Sequence, residues 1–372
     1  MMEFNLSSEQ KLLQDTVFQT VNHISPSLPL AHRWKLLADC GIIGTCISPE
    51  YGGMGLSALD MLLVLESLGK ANSDNGLSFA LAAHTLSCVI PINKYGTPSQ
   101  KEKYLKPLLS GELIAANAMT ESESGSDVFN MQCKATKKDG SYILNGTKTF
   151  ISNSAVSELV LTYAATHPDK GFFGGITAFL VDKQNYSSGN QFRKMGLESC
   201  SLGEIIFENS VLSNQNILGH EGGGALIFNH SMEWERICLT GIHIGAMHRV
   251  MDKTIDFVKQ RKSLGQNIGK FQGVSHAVAD MQVSLEVARN YAYKAAWLLD
   301  NQKNVSKEAA IAKLFVSNTV KTFMLQALQI FGGYGYISDY GIEQEVRDAL
   351  AATIYSGTSE IQKNIIASHL GI

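Results

Sequence analysis

Three glycine clusters, six cysteines and two neighbouring carboxylates are the residues of this 372-residue chain whose types and spacing could do chemistry. Gly52-Gly53-Met54-Gly55, Gly222-Gly223-Gly224 and Gly332-Gly333-Tyr334-Gly335 invite comparison with phosphate-cradling loops. A dinucleotide loop follows a strand, opens a helix and has an acidic residue about 20 positions later. None of the three meets that pattern, so they read as turns that use the backbone freedom of glycine. The cysteines at 40, 46, 88, 133, 200 and 238 contain no C-x-x-C pair. They argue against zinc or a disulfide framework, and for reduced thiols in a cytoplasm. Ser231-Met232-Glu233-Trp234-Glu235-Arg236 carries its two carboxylates two positions apart. On a helix these lie on nearly opposite sides, so only one can face a given substrate. Taken alone, Glu235 reads as a helix-face partner of some Lys or Arg.

The elements that position these residues fall into three zones, expected as domains over 1–115, 116–220 and 221–372. From Ser7 to about Ala115 apolar residues recur at helical spacing, with stops at Gly41, Gly52-Gly53 and Gly96-Thr97-Pro98. Ser7-Ser8-Glu9-Gln10 reads as a capped helix start. Helices are expected over Ala31 to Cys40 and Leu56 to Lys70. In the middle zone Tyr142 to Gly146 reads as a strand entering a tight turn at Asn145-Gly146. Ser157 to Ala164, Ile176 to Val181 and Glu204 to Phe207 are further strands, spaced as in a small barrel or sandwich. Lys134, Lys137 and Lys138 form a small basic patch, best read as a solvated hairpin. Helical patterning then returns over Trp234 to Gln260, Ser275 to Asp300, Ser306 to Phe331 and Ile342 to Leu370, as in a bundle. Strands and helices do not alternate, so the class is α+β and a Rossmann sheet is not expected.

Composition narrows the function. Hydrophobic residues at 45% and charged residues at 17% describe a globular protein, and a net charge of -3 gives no reason to expect nucleic acid. The longest apolar stretch, Leu77 to Ile92, is broken by Ser78, His84 and Ser87. It reads as too short and polar for a membrane span, which needs about 20 apolar residues. Met1 to Ser8 does not read as a secretory signal.

The tail Ile354-Tyr355-Ser356-Gly357-Thr358-Ser359-Glu360-Ile361-Gln362 resembles the I-Y-E-G-T-x-x-I-Q segment of the acyl-CoA dehydrogenase family. Four other segments resemble that family in order. They are Ala118 to Asp127 (A-x-T-E-P-x-A-G-S-D), Asn145 to Asn153 (N-G-x-K-x-W-I-T-N), Arg261 to Gln272 (R-x-x-F-G-x-x-I-x-x-F-Q) and Gln329 to Gly335 (Q-x-x-G-G-x-G). The resemblance implies an N-terminal helical domain, a middle β-barrel domain, a C-terminal four-helix bundle, a homotetramer and FAD. It implies flavin contacts at Met119, Thr120, Gly125, Ser126, Phe150, Ile151 and Ser152. Contacts to the pyrophosphate and adenine are implied across a subunit interface at Arg261, Leu264, Gln272, Gln329, Ile330, Gly332 and Gly333, with Thr358 and Glu360 added. Substrate contacts are implied at Ser126, Trp234, Arg236, Ser356 and Gly357. No metal is expected.

In this family the tail Glu is usually the base that removes the α-proton of an acyl thioester while hydride leaves the β-carbon. Here Ser356 stands there, and a neutral hydroxyl cannot remove a carbon-bound proton. Some members, among them isovaleryl-CoA dehydrogenases, carry the base within an x-x-E-R helix start instead. By resemblance Glu235 is therefore the base, in the first turn of its helix, while the Ser356 backbone N–H still serves the thioester oxygen. Arg347 to Thr358 looks most like members that dehydrogenate an acyl or aminoacyl group, such as prolyl, on a carrier protein. Short or branched acyl-CoA is the competing substrate, with an electron-transfer flavoprotein or oxygen as acceptor. An oxidase, or a non-catalytic binding subunit of the same fold, are the other readings.

Overall fold

The computed structural model describes residues 5–301 and 304–372. The N-terminal zone consists of α1 (Ser8–Asn22), α2 (Leu30–Asp39), α3 (Ala58–Ala71), α4 (Asn75–His84), α5 (Ile90–Tyr95) and α6 (Pro98–Leu109). Three of these start on reciprocal caps, Ser7 with Gln10, Ser57 with Asp60 and Thr97 with Gln100. Each satisfies two backbone donors that the first turn leaves free. A π-helical turn, Thr85–Val89, joins α4 to α5. The apolar run expected to be too short for a membrane thus belongs to a 21-residue helix, Asn75–Tyr95, long and apolar enough to cross one. Within the fold it is a core helix, with 89% of its most apolar window buried.

The middle zone holds β1 (Ala115–Ala118), β2 (Lys134–Lys138), β3 (Ser141–Ser152), β4 (Leu159–Ala165), a distorted turn α7 (Phe172–Gly175), β5 (Ile176–Asp182), β6 (Ser187–Gln191), β7 (Leu202–Leu212) and β8 (Ile217–Leu218). The expected barrel or sandwich is one eight-stranded sheet, ordered β6-β7-β3-β2-β4-β5-β8 with β1 pairing β4. The hairpin turn is Asp139-Gly140, both residues at positive φ, with Lys138 opposite Ser141. This is the Asp-Gly geometry that a two-residue connection favours. Asn145-Gly146 does not turn the chain, contrary to expectation: β3 runs on for 12 residues, with a register shift between Leu144 and Gly146.

The C-terminal zone comprises α8 (Gly224–Cys238), α9 (Thr240–Gln260), the ribbon β9 (Lys262–Ser263) and β10 (Gln266–Asn267), α10 (Gln272–Asp300), α11 (Ser306–Phe331), α12 (Gly333–Tyr336), α13 (Ile342–Leu350) and α14 (Ser359–Leu370). Two long helices expected from the pattern are each divided. The first begins at Gly224 and breaks at Leu239, where the Thr240 hydroxyl bonds back to the Ile237 carbonyl. Such back-bonding competes with the helix and bends it. The second is broken by left-handed residues at Ser356 (φ 53) and Gly357 (φ 89). The N- and C-terminal zones meet where α3 lies against α9. A Cβ at Gly245 would fall 2.1 Å from the Glu66 carbonyl, so only glycine permits this approach. Asp300 at the end of α10 accepts from the Ala58 and Leu59 amides, capping α3 from across the molecule.

Candidate active site

Glu235 lies in the last turn of α8, three residues before its end, and not in a first turn as expected. Its carboxylate is buried, and Oε2 accepts a hydrogen bond of 2.6 Å from the Ser356 hydroxyl. The two residues singled out for the missing and replacement base are therefore in direct contact. Burial raises Glu235 above the ordinary carboxylate range, against the opposing pull of Ser356, Ser87, Arg236 and Lys313. Ser87 belongs to the π-helical turn, so three separated segments converge on one carboxylate. Glu233 is half-buried on another face near Lys94 and Tyr95. The two carboxylates therefore face different surroundings, as their spacing requires.

A small pocket is lined by Glu235, Arg236, Thr240, His243, Lys313, Tyr355 and Ser356 among others. Tyr355 is hydrogen-bonded to His243, which burial keeps neutral by lowering its pKa to about 4. The tyrosine ring also packs on Phe79 with centroids 4.5 Å apart. Arg236 lines this cavity as expected and donates to the Ser356 carbonyl at 3.3 Å. Trp234 does not line it: its indole N–H donates to His230 at 3.2 Å. Thr358 caps α14 by accepting from the Ile361 amide, and Glu360 is exposed in the first turn beyond it.

The expected flavin residues form two groups with exposed members, although Met119 and Ile151 are buried. In the first, β3 skips register between Lys148 and Ile151, and Phe150 sits at φ 55 with 60% of its surface open. A bulge re-aims the side chain it contains, and here it turns an aromatic ring outward beside Ser152 while Ile151 stays buried. The Thr149 amide donates to the Thr120 carbonyl, which binds the Met119–Thr120 loop alongside. Under this loop Lys148 and Glu121 form a buried ion pair at 2.7 Å. Lys148 also donates to the Met119 carbonyl, and Glu121 accepts from the Gln132 and Cys133 amides. Gly125 and Ser126 are exposed at the outer end of the same loop. In the second group, Arg261 stacks on Tyr334 at 5.0 Å and donates to its hydroxyl at 3.4 Å. This joins the Arg261–Gln272 segment to the Gln329–Gly335 segment. Leu264, Gln272, Gln329, Gly332 and Gly333 are exposed there, Ile330 half-buried. An uncovered aromatic ring flanked by hydroxyls, with an open guanidinium and open glycines elsewhere, fits the ring system and phosphates of a flavin nucleotide.

The sequence reading missed Ser87, His243, Lys313, Gln362 and the Lys148–Glu121 pair. Signals existed for all but His243, since Glu121, Lys148 and Gln362 stand at lettered positions of the motifs quoted above. Ser87 interrupts an apolar run, and Lys313 is a lone charge within Ala309 to Val316.

The acyl-CoA dehydrogenase N-terminal, middle and C-terminal domains match residues 7–112, 116–210 and 222–371. The chain belongs to the acyl-CoA dehydrogenase family. Among its relatives, an L-prolyl-[peptidyl-carrier protein] dehydrogenase of a Serratia species is 37% identical, over 100% of this chain and 99% of the relative. The mitochondrial isovaleryl-CoA dehydrogenase of Oryza sativa subsp. japonica is 36% identical, over 98% of this chain and 89% of the relative. The crystal structure of the prolyl acyl carrier protein oxidase AnaB superposes with a TM-score of 0.96 at 37% identity, covering 99% of this chain and all of that one. The structure of PigA with FAD and proline gives 0.95 at 36% identity, covering 100% and 99%.

Proposed function

We propose that this protein is an FAD-dependent dehydrogenase that introduces an α,β double bond into an acyl thioester, acting on an aminoacyl group such as prolyl held on a carrier protein in a biosynthetic pathway. The observation that carries the reading is the buried Glu235 carboxylate bonded to the Ser356 hydroxyl at 2.6 Å. Glu235 takes the α-proton, its raised pKa suiting proton removal near neutrality. The Ser356 amide holds the thioester oxygen as negative charge develops on it. FAD, when bound, supplies the hydride acceptor. It would lie along Met119, Thr120, Gly125, Ser126 and Phe150 to Ser152. Arg261, Leu264, Gln272, Gln329, Ile330, Gly332 and Gly333 would reach the pyrophosphate and adenine of a neighbouring subunit's FAD, with Thr358 and Glu360 close to the tail. Ser126, Arg236, Ser356 and Gly357 would face the substrate, Trp234 from a greater distance.

The carrier-bound aminoacyl substrate is supported by relatives and structural neighbours named for prolyl carriers. Short or branched acyl-CoA is the second reading, favoured by the isovaleryl-CoA relative. A homotetramer is supported by exposed apolar groups at the second flavin group, Leu264 and Tyr336 above all. Division into domains 1–115, 116–220 and 221–372 is supported by the change from helix to strand at Ala115 and back at Gly224. A cytoplasmic setting is supported by six unpaired cysteines, four of them buried. The acceptor is an electron-transfer flavoprotein or oxygen, and stoichiometric peroxide during turnover would select oxygen. The main test mixes flavin-loaded protein with aminoacylated carrier domains and a panel of acyl-CoAs. Flavin bleaching by the prolyl carrier at the highest kcat/KM is expected; faster bleaching by isovaleryl-CoA would hand the site to the second reading.

A further inference from the structure

The Tyr355–Gly357 turn sits in a sparsely populated conformation. Ser356, a residue with a side chain, has φ 53, and such geometry persists only where the surroundings over-determine it. Two carbonyls of the turn are gripped by three side chains. The Ser356 carbonyl accepts from Arg236 Nε at 3.3 Å and Gln362 Nε2 at 3.2 Å. The Gly357 carbonyl accepts from Gln362 Nε2 at 2.9 Å and, most closely, from Lys313 Nζ at 2.6 Å. Gln362 is fully buried, and its own carbonyl oxygen has no partner, so its amide is committed to the turn.

Lys313 is the unexpected member. It lies on α11 with only 4% of its surface exposed, and no carboxylate among the described residues comes within ion-pair distance of it. Removing an ammonium from water is costly unless the charge is compensated. Its nearest partner is a neutral carbonyl, its charge is felt by Glu235, and burial pulls its pKa down to about 8. Nothing in the packing of α11 requires a cation at this position, where the flanking residues Ala309, Ala312 and Val316 are buried and apolar.

We infer that Lys313 is a positioning residue that locks the Tyr355–Gly357 turn, and through it the amide and hydroxyl of Ser356 toward the reacting thioester. The inference rests on the reading of Glu235 as base. Lys313 touches no reacting atom. It fixes the Gly357 carbonyl, which sets the Gly357–Thr358 peptide plane, while Arg236 and Gln362 fix the Ser356 carbonyl and so the Ser356–Gly357 plane. With the planes on both sides of Gly357 fixed, the chain leaving Ser356 is held, and with it the left-handed φ of Ser356 that orients its amide and the hydroxyl 2.6 Å from Glu235. Pre-set donors of this kind matter more for the transition state than for substrate binding.

The test compares flavin-loaded Lys313→Met, Lys313→Gln and Lys313→Arg with Glu235→Gln. Lys313→Met should lower kcat for flavin reduction by about 10- to 100-fold, less than the loss of an oxyanion donor outright because the amide is still present, and move KM less than about threefold. In the non-reacting Glu235→Gln background it should weaken binding of the thioester about two- to threefold but leave a thioether analogue lacking the carbonyl unaffected. Lys313→Gln and Lys313→Arg, which keep an N–H donor, should recover part of both losses, and they carry the test if Lys313→Met does not fold. A Lys313→Met kcat within twofold of wild type overturns the inference, and so do equal losses for thioester and thioether. If Glu235→Gln itself turns over normally, the proposed base has failed, and the binding comparison still reports on Lys313.

Discussion

Around Glu235, the charged and hydroxyl groups are buried and bonded within one chain, whereas Phe150, Arg261, Leu264 and Gly332 stand open. At the first site α8, α11, the π-helical turn and the tail each contribute one or two side chains, and Ser356, Arg236, Lys313 and Gln362 hold one another in place. At the second, the Arg261 guanidinium has, among the described residues, only the Tyr334 ring and hydroxyl, and Leu264 is 90% exposed. The difference separates two physical tasks. A base near neutrality must be desolvated, and a desolvated carboxylate is tolerable only where its neighbours are already bonded. A nucleotide-binding surface must keep its donors free until the ligand brings phosphate oxygens to them. The proposed base has its bonded neighbours within one chain, and the proposed nucleotide surface leaves its guanidinium and glycines open.

The largest effect should come from the buried side. Glu235→Gln keeps the shape but removes the proton acceptor, and flavin reduction in rapid mixing should slow by about 10²- to 10⁴-fold with the bound flavin spectrum unchanged. A wild-type rate would break the assignment of base. Next, Arg261→Ala should cost the open surface about 10- to 100-fold in FAD affinity, measured by titrating apoprotein, since it removes a charge-assisted contact. Once the protein is reloaded with excess FAD, the rate of flavin reduction should return. A lasting loss of rate would show that the two regions are not separable.

The smallest effect concerns pH. Because burial raises Glu235, the acid limb of the rate profile should lie above the pH at which an exposed carboxylate protonates. The rate is lost as pH falls through the raised pKa, since only the ionised form accepts the proton. Ser356→Ala deletes a hydrogen bond that favours the ionised form, so the limb should move to higher pH. A limb that stays in place or moves down would show that the 2.6 Å contact does not tune the base.

Local rules recovered much of the frame. The Ser7–Gln10 cap appears where its residues placed it, and α2 (Leu30–Asp39), α3 (Ala58–Ala71) and α11 (Ser306–Phe331) lie within two residues of expectation. The errors share a cause. Asn145-Gly146 has the composition of a turn but lies inside a long strand, because β7 pairs along both sides of it. The tail reads as one continuous helix, but carbonyls gripped by Lys313 and Gln362 hold Ser356 and Gly357 at positive φ. In both places distant partners overrode a local preference.

Three zones, the five ordered motifs and the exchange of a tail carboxylate for Ser356 were written in the order of residues, because periodicity and motif spacing are properties of the chain itself. The contact between Glu235 and Ser356, 121 positions apart, was not. It depends on where α8 ends, on how closely α3 and α9 approach, and on a turn held by side chains from other helices. Such distances follow from packing, in which every neighbour is fixed by all the others.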